Sequence, residues 1–209
     1  MGEEGRGDEG PRRYSSQMPP IFTVGHSTRP IEELLALLAG QGVQTLVDVR
    51  RFPGSRRHPQ FSRDALAASL AEAGIGYVHE PDLGGRRAAR PGSPHTAWRV
   101  EAFRGYADHM ETPEFAAALD RLIRRSAGET VVILCAEALP WRCHRRLISD
   151  ALVARGLPVL HILGPGRADP HELDPNAHIL PGARLVYSGP EGDQPSLFAT
   201  GAEGIVPES

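Results

Sequence analysis

Two hydrophobic rhythms take turns along this chain. Ile21 to Val24 is a short apolar run closed by Gly25, and from Pro30 the residues Ile31, Leu34, Leu35 and Leu38 recur at i, i+3, i+4 and i+7, the spacing of one buried helix face. Gly40 and Gly42 end that helix. Thr45 to Val49 predicts a buried strand, followed by a turn-rich basic stretch from Arg50 to Gln60. Ser62 is placed to cap a helix with Leu66 and Leu70 on its inner face, Gly74 to stop it, and Ile75 to Val78 to form a third strand. The Gly/Arg/Pro loop from Glu80 to Pro94 is too long for a plain connection and is expected to be functional or mobile. Trp98 to Met110 can form a helix, and Thr112-Pro113 supplies an N-cap with proline at the first helical position for a helix through Phe115, Leu119, Leu122 and Ile123. Val131 to Leu134 is an uninterrupted apolar strand of the kind buried on both faces of a parallel sheet. A helix from about Arg142 to Arg155, a stop at Gly156 and a fifth strand from Val159 to Leu163 complete the regular part. Beyond Gly164, clustered Pro and Gly leave one short strand near Leu185 to Tyr187.

Strands alternating with helices at this spacing predict the α/β class: a single Rossmann-like three-layer domain with an open, mainly parallel sheet. In such sheets ligands sit at the carboxyl ends of the strands. Residues 1–19 are polar and lack an apolar period, so a disordered leader is expected there. The domain is expected over residues 20–188 and an acidic flexible tail over 189–209, where no basic residue follows Arg184.

Composition narrows the chemistry. All 23 Lys/Arg positions are arginine, which excludes Schiff-base lysine chemistry and a Walker-type P-loop. A single Asn (Asn176) and abundant Ala, Gly and Pro point to a GC-rich genome as the main source of that bias. The net charge of −3 is unevenly spread, with ten Arg against five acids over residues 50–104 and three against seven over 151–209, a balance that suits an anion site in the middle of the chain and equally a solvated surface. Two cysteines cannot build a disulfide framework, and no apolar run reaches about 18 residues. These features predict a soluble cytoplasmic protein with reduced thiols and no membrane partner.

The strand-end rule selects the candidate chemistry. Gly25-His26-Ser27-Thr28-Arg29, Asp48 to Arg51, His79-Glu80 and Cys135-Ala136-Glu137 follow successive strands, and the next helix opens near Trp141-Arg142-Cys143-His144-Arg145, where free N–H groups favour an anion or a thiolate. Each residue has an ordinary structural reading: Cys135 as a small buried hydrophobe, Asp48 as a partner of Arg50 or Arg51, His26 as turn chemistry. Their convergence at one sheet edge favours a functional crevice.

The blocks TVGHSTRPIEELLALL, VDVRRFPGSRRHPQFS, GIGYVHEPDLGGRR, FRGYADHM and CAEALPWRCHRRLISDAL resemble, in order over residues 21 to about 163, those of the domain of unknown function (DUF) 488 family. The resemblance implies an α/β fold and a site drawn from Gly25, His26, Ser27, Thr28, Asp48, Arg50, Pro53, Arg56, Tyr106, Cys135, Glu137, Cys143, His144 and Arg145, without naming a reaction. Three mechanisms compete. In a rhodanese-like reading Cys135 is a nucleophile, but six residues separate it from Arg142 and the adjacent Glu137 opposes a thiolate. In a second, a hydrolase or transferase acts on a phosphate-bearing small molecule or nucleic acid; Glu137 with His26 or His144 moves protons, and Ser27, Thr28, Asp48, Arg50, Arg56, Tyr106 and Arg145 bind the substrate. In a third, Cys135, Cys143 and His144, alone or with Glu137 or His26, hold zinc or iron, although Cys-x7-Cys-His is not a standard structural spacing.

Near the C-terminus, Gln194-Pro195-Ser196-Leu197-Phe198 resembles the pentapeptide by which bacterial repair and replication proteins dock on the DNA sliding clamp. Gln194 would be the anchor and Leu197 with Phe198 the apolar pair, with Pro195 a departure from the pattern. This predicts a DNA-maintenance setting, with a non-catalytic nucleic-acid or clamp adaptor as the alternative.

Overall fold

A computed structural model describes residues 18–54 and 57–189. Among them a six-stranded sheet runs in the order β3 (Gly76–His79), β2 (Thr45–Asp48), β4 (Val131–Cys135), β1 (Ile21–Gly25), β5 (Val159–Gly164) and β6 (Arg167–Pro170). All pairs are parallel except β5 with β6. Helices α1 (Ile31–Ala39) and α2 (Arg63–Glu72) cover one face, and α3 (Glu101–His109), α4 (Pro113–Ser126) and α5 (Arg145–Ala154) the other. A separate hairpin, β7 (Ala177–Leu180) with β8 (Arg184–Tyr187), lies against α3 and α5 and buries Leu185 and Tyr187 in their core. Among the described residues no helix is long and apolar enough to cross a membrane.

The pleat sorts side chains between two cores. In β4, Val131, Ile133 and Cys135 pack with α3 to α5, while Val132 and Leu134 pack with α1 and α2. By the same alternation Val47 of β2 faces α3 to α5, whereas Asp48 falls in register with Leu46 on the opposite face. Chain direction then creates the crevice. β1 and β2 lead into helices on one face, and β4, between them, leads into α5 on the other; their carboxyl ends part at this switch point.

Local signals were met unevenly. Gly42 and Gly74 take positive φ of 62° and 73° and release the chain from α1 and α2, whereas Gly40 stays right-handed. Thr112 accepts a hydrogen bond from the Phe115 amide as an N-cap, but the Ser62 side chain caps nothing. Helix α5 begins at Arg145 rather than near Arg142, because a 3-10 turn over Pro140–Arg142 precedes it. The loop after β3 is packed: Leu83 is buried, Arg87 donates to the carbonyls of Gly84 and Pro81, and Arg90 pairs with Asp108 and Glu111.

Candidate functional site

A cavity of about 800 Å³ opens at the carboxyl ends of β1, β2 and β4. Its walls include His26, Ser27, Thr28, Arg50, Cys135, Glu137, Cys143 and His144 from the expected set. Asp48, Tyr106 and Arg145 do not line it, Arg56 is outside the described residues, and so are Gln194, Leu197 and Phe198.

The floor is a knot of sulfur and imidazole. Cys135 ends β4, and Cys143 and His144 lead into α5. His144 Nδ1 lies 3.8 Å from Cys135 Sγ and 3.7 Å from Cys143 Sγ, and the three atoms fall within 4.8 Å of one another. His144 Nε2 is 3.2 Å from the Val49 carbonyl, to which only an N–H can donate, so Nδ1 presents its lone pair to both sulfurs. The Tyr106 ring tilts against this imidazole at 5.0 Å and its hydroxyl donates to the Leu83 carbonyl; Tyr106 thus braces His144 from the core and is not placed to contact a substrate.

The sulfurs differ electrostatically. Burial would raise the Cys143 thiol, but the neighbouring Cys135 thiol and the Arg145 guanidinium beside it outweigh that and hold it well below the ordinary thiol range. Cys135, beside Cys143 and buried, is pushed well above that range. Arg145 supplies the reason. Only 1% exposed, it donates Nε–H to Cys143 Sγ at 3.4 Å, NH1 to Thr23 Oγ1 at 3.3 Å and NH2 to the carbonyls of Glu137 and Ala138. No carboxylate among the described residues forms an ion pair with it, so the Cys143 sulfur is its adjacent counter-charge. Gly25 permits this approach, since a Cβ there would meet the Glu137 carbonyl oxygen at 1.8 Å and Arg145 NH2 at 2.8 Å.

From Arg145 a polar chain runs inward. Thr23 Oγ1 donates to His161 Nδ1 (2.7 Å), His161 Nε2 to His171 Nδ1 (2.9 Å) and His171 Nε2 to Asp150 Oδ1 (2.8 Å), while the Tyr187 hydroxyl donates to Asp150 Oδ2 (2.9 Å). Burial first, then the neighbouring His171 and Arg145, lower His161 to about 3, so it is neutral. Nothing in the sequence pattern marked this chain, because His161 sits inside an apolar strand and His171 in irregular backbone.

Arg50 and Asp48, both expected to bind substrate, bind each other. Arg50 Nε and NH2 form a bidentate pair with Asp48 at 2.8 and 2.6 Å, and NH1 reaches the Phe61 carbonyl at 2.7 Å and His26 Nε2 at 3.2 Å. Tyr77 completes Asp48 at 2.8 Å. His26 Nδ1–H donates to the Ser27 carbonyl and its ring stacks on Phe61, so both ring nitrogens are engaged. Burial, aided by Arg50, lowers His26 to about 4 against the opposing Ser27 carbonyl; the ring is neutral and unsuited to holding a proton at neutral pH. Ser27 takes a left-handed φ of 50° as its amide bonds the Ala136 carbonyl, a strained turn at the cavity wall.

Other residues supply the exposed chemistry. Arg51, Arg86 and Arg142 line the cavity, all exposed, and no carboxylate among the described residues pairs with them. Phe52 is 63% exposed, with the Arg51 guanidinium 5.4 Å from its ring centre. The Glu137 side chain is exposed and makes no hydrogen bond or ion pair among the described residues. Of the other strand-end residues, His79 supports the Arg50 carbonyl and Glu80 is clamped by Arg121. The profile of the domain of unknown function DUF488 matches residues 30–152. The chain belongs to the DUF488 family. No curated protein and no solved structure matches it. The DUF488 match takes in Asp48, Arg50 and the whole floor, and leaves Thr23, His26, His161, His171 and Tyr187 outside.

Proposed function

We propose that this DUF488 protein is a cytoplasmic hydrolase or transferase acting on a phosphate-bearing substrate, a nucleotide or a base within nucleic acid. One observation carries the reading: Arg51, Arg86 and Arg142 face the cavity without carboxylate partners among the described residues, beside the exposed ring of Phe52. Guanidiniums that no carboxylate holds can take phosphate oxygens two at a time. An open aromatic face stacks on a base whatever its identity. The cavity volume of about 800 Å³ is in the range of small-molecule sites. Glu137, with its carboxylate open to the cavity, is the group best placed to move a proton.

Calorimetric titration with a nucleoside monophosphate and with inorganic phosphate tests this. Arg51→Ala with Arg142→Ala should weaken both ligands, Phe52→Ala the nucleotide alone, and Glu137→Gln should retain binding while losing turnover of phosphoester or N-glycosidic substrates. Nucleotide affinity unchanged in the double arginine variant would sink the reading. The same reading sets the protein in DNA maintenance, docked on the sliding clamp through Gln194, Leu197 and Phe198. A pull-down in which Leu197→Ala with Phe198→Ala binds the clamp as well as the native chain would discard that part.

A further inference from the structure

We infer that Cys135, Cys143 and His144 form a binding site for one thiophilic divalent cation, zinc by preference, with its remaining coordination position toward the cavity. Three independent features meet there. The first is distance: a tetrahedral zinc with bonds of about 2.3 Å to sulfur and about 2.0 Å to nitrogen separates sulfur from nitrogen by roughly 3.6 Å. The nitrogen-to-sulfur separations here are 3.8 and 3.7 Å.

The second is the tautomer. A ligating histidine usually donates its other N–H to a carbonyl or carboxylate, which fixes the ring and raises its basicity. His144 does this toward Val49, leaving Nδ1 for the cation. Third, space is kept open beside Nδ1. Gly85 lines the cavity, and a Cβ there would stand 2.9 Å from His144 Nδ1, where a bound ion would compete with it.

Two thiolates neutralise the charge of a divalent ion. Arg145 would then keep its positive charge against Cys143, and with Arg51, Arg86 and Arg142 it would bias the open position toward an anion. That last clause rests on the functional reading above, while uptake of the cation does not. Three protein ligands and one open position is the arrangement of catalytic zinc rather than closed structural sites.

The probe is cobalt, added to the reduced full chain freed of metal. One equivalent should bind with the sulfur-to-cobalt charge-transfer absorption and the intense visible bands of tetrahedral cobalt, and zinc should displace it. Cys143→Ser and His144→Gln, each checked for fold by circular dichroism, should weaken uptake by at least about 100-fold, beyond the effect of losing an outer contact. Absence of the charge-transfer band in folded, reduced protein would overturn the site, as would an undiminished band in folded His144→Gln. Nucleotide titration of the metal-free chain, run alongside, reports on the anion reading separately.

Discussion

Among the described residues each face of the sheet buries one arginine, and the two are neutralised differently. On the side of α1 and α2, Arg50 is held by the Asp48 carboxylate; on the side of α3 to α5, Arg145 meets a cysteine sulfur. A neutral imidazole attends each, His26 directly on Arg50 and His161 one hydroxyl away from Arg145. A buried charge requires a counter-charge and full hydrogen bonding in either setting. Where a carboxylate provides it, the pair is inert and acts as a strut between β2 and the segment around Phe61. Where a thiol provides it, the same demand presses the sulfur toward its reactive, metal-binding form. Two arginines that look alike in sequence therefore divide into a structural one and a chemical one.

Asp48→Asn should produce the largest effect, since it leaves Arg50 buried without its partner: about 3–5 kcal/mol of stability by urea denaturation, with cobalt uptake by the surviving folded protein unchanged. A loss below 1 kcal/mol would mean that the strut is not one. Acid should act on both faces together. His26 and His161 have folded values of about 4 and about 3, below the unfolded value of 6.5, so only the unfolded chain takes up these protons as pH falls below 6.5. Stability is then fully present above that point and declines toward pH 4, by about 1.4 kcal/mol per pH unit for each imidazole. His161→Gln should remove one of the two proton equivalents; an unchanged slope would show that the inner chain does not exclude protons.

The swap of guanidinium for ammonium separates the arginines most directly. Arg145→Lys should lower cobalt affinity by roughly 10- to 100-fold through the lost contact on Cys143, and Arg50→Lys should cost stability while leaving that affinity alone. Equal effects in the two variants would erase the distinction. Smallest of all, Arg142→Ala at the exposed rim should change stability by no more than about 0.5 kcal/mol and register only in phosphate affinity.

Much of this was legible in the chain, and the limits are physical. The strands β1 and β4 announce themselves because a strand buried along its whole length is largely apolar, and α4 because its cap, proline and periodicity agree. β6 and β7 are short and half exposed, so no period marks them. The convergence of His26, Cys135, Glu137, Cys143 and His144 on one cavity follows from strand order. Which arginines face it does not. Arg145 stands at the first position of α5, where one step of rotation separates solvent from the sheet, and it turned inward; Arg142, three residues earlier in a 3-10 turn, turned out. Phe52 offered one signal that could have been used, an aromatic ring set in a basic turn with no apolar neighbour at helical or strand spacing.

The sheet order bears on where this chain can be cut. The DUF488 match begins at residue 30, yet β1, ending at Gly25, lies in the middle of the sheet and hydrogen-bonds to both β4 and β5. A fragment trimmed to 30–152 would turn β4 from an interior strand into an open edge along Val131–Cys135, the kind of edge that recruits other chains. It would also strip Thr23 from Arg145 and His26 from Arg50. In this chain the matched segment is therefore smaller than the sheet it belongs to, and residues on either side of it complete that sheet from its centre.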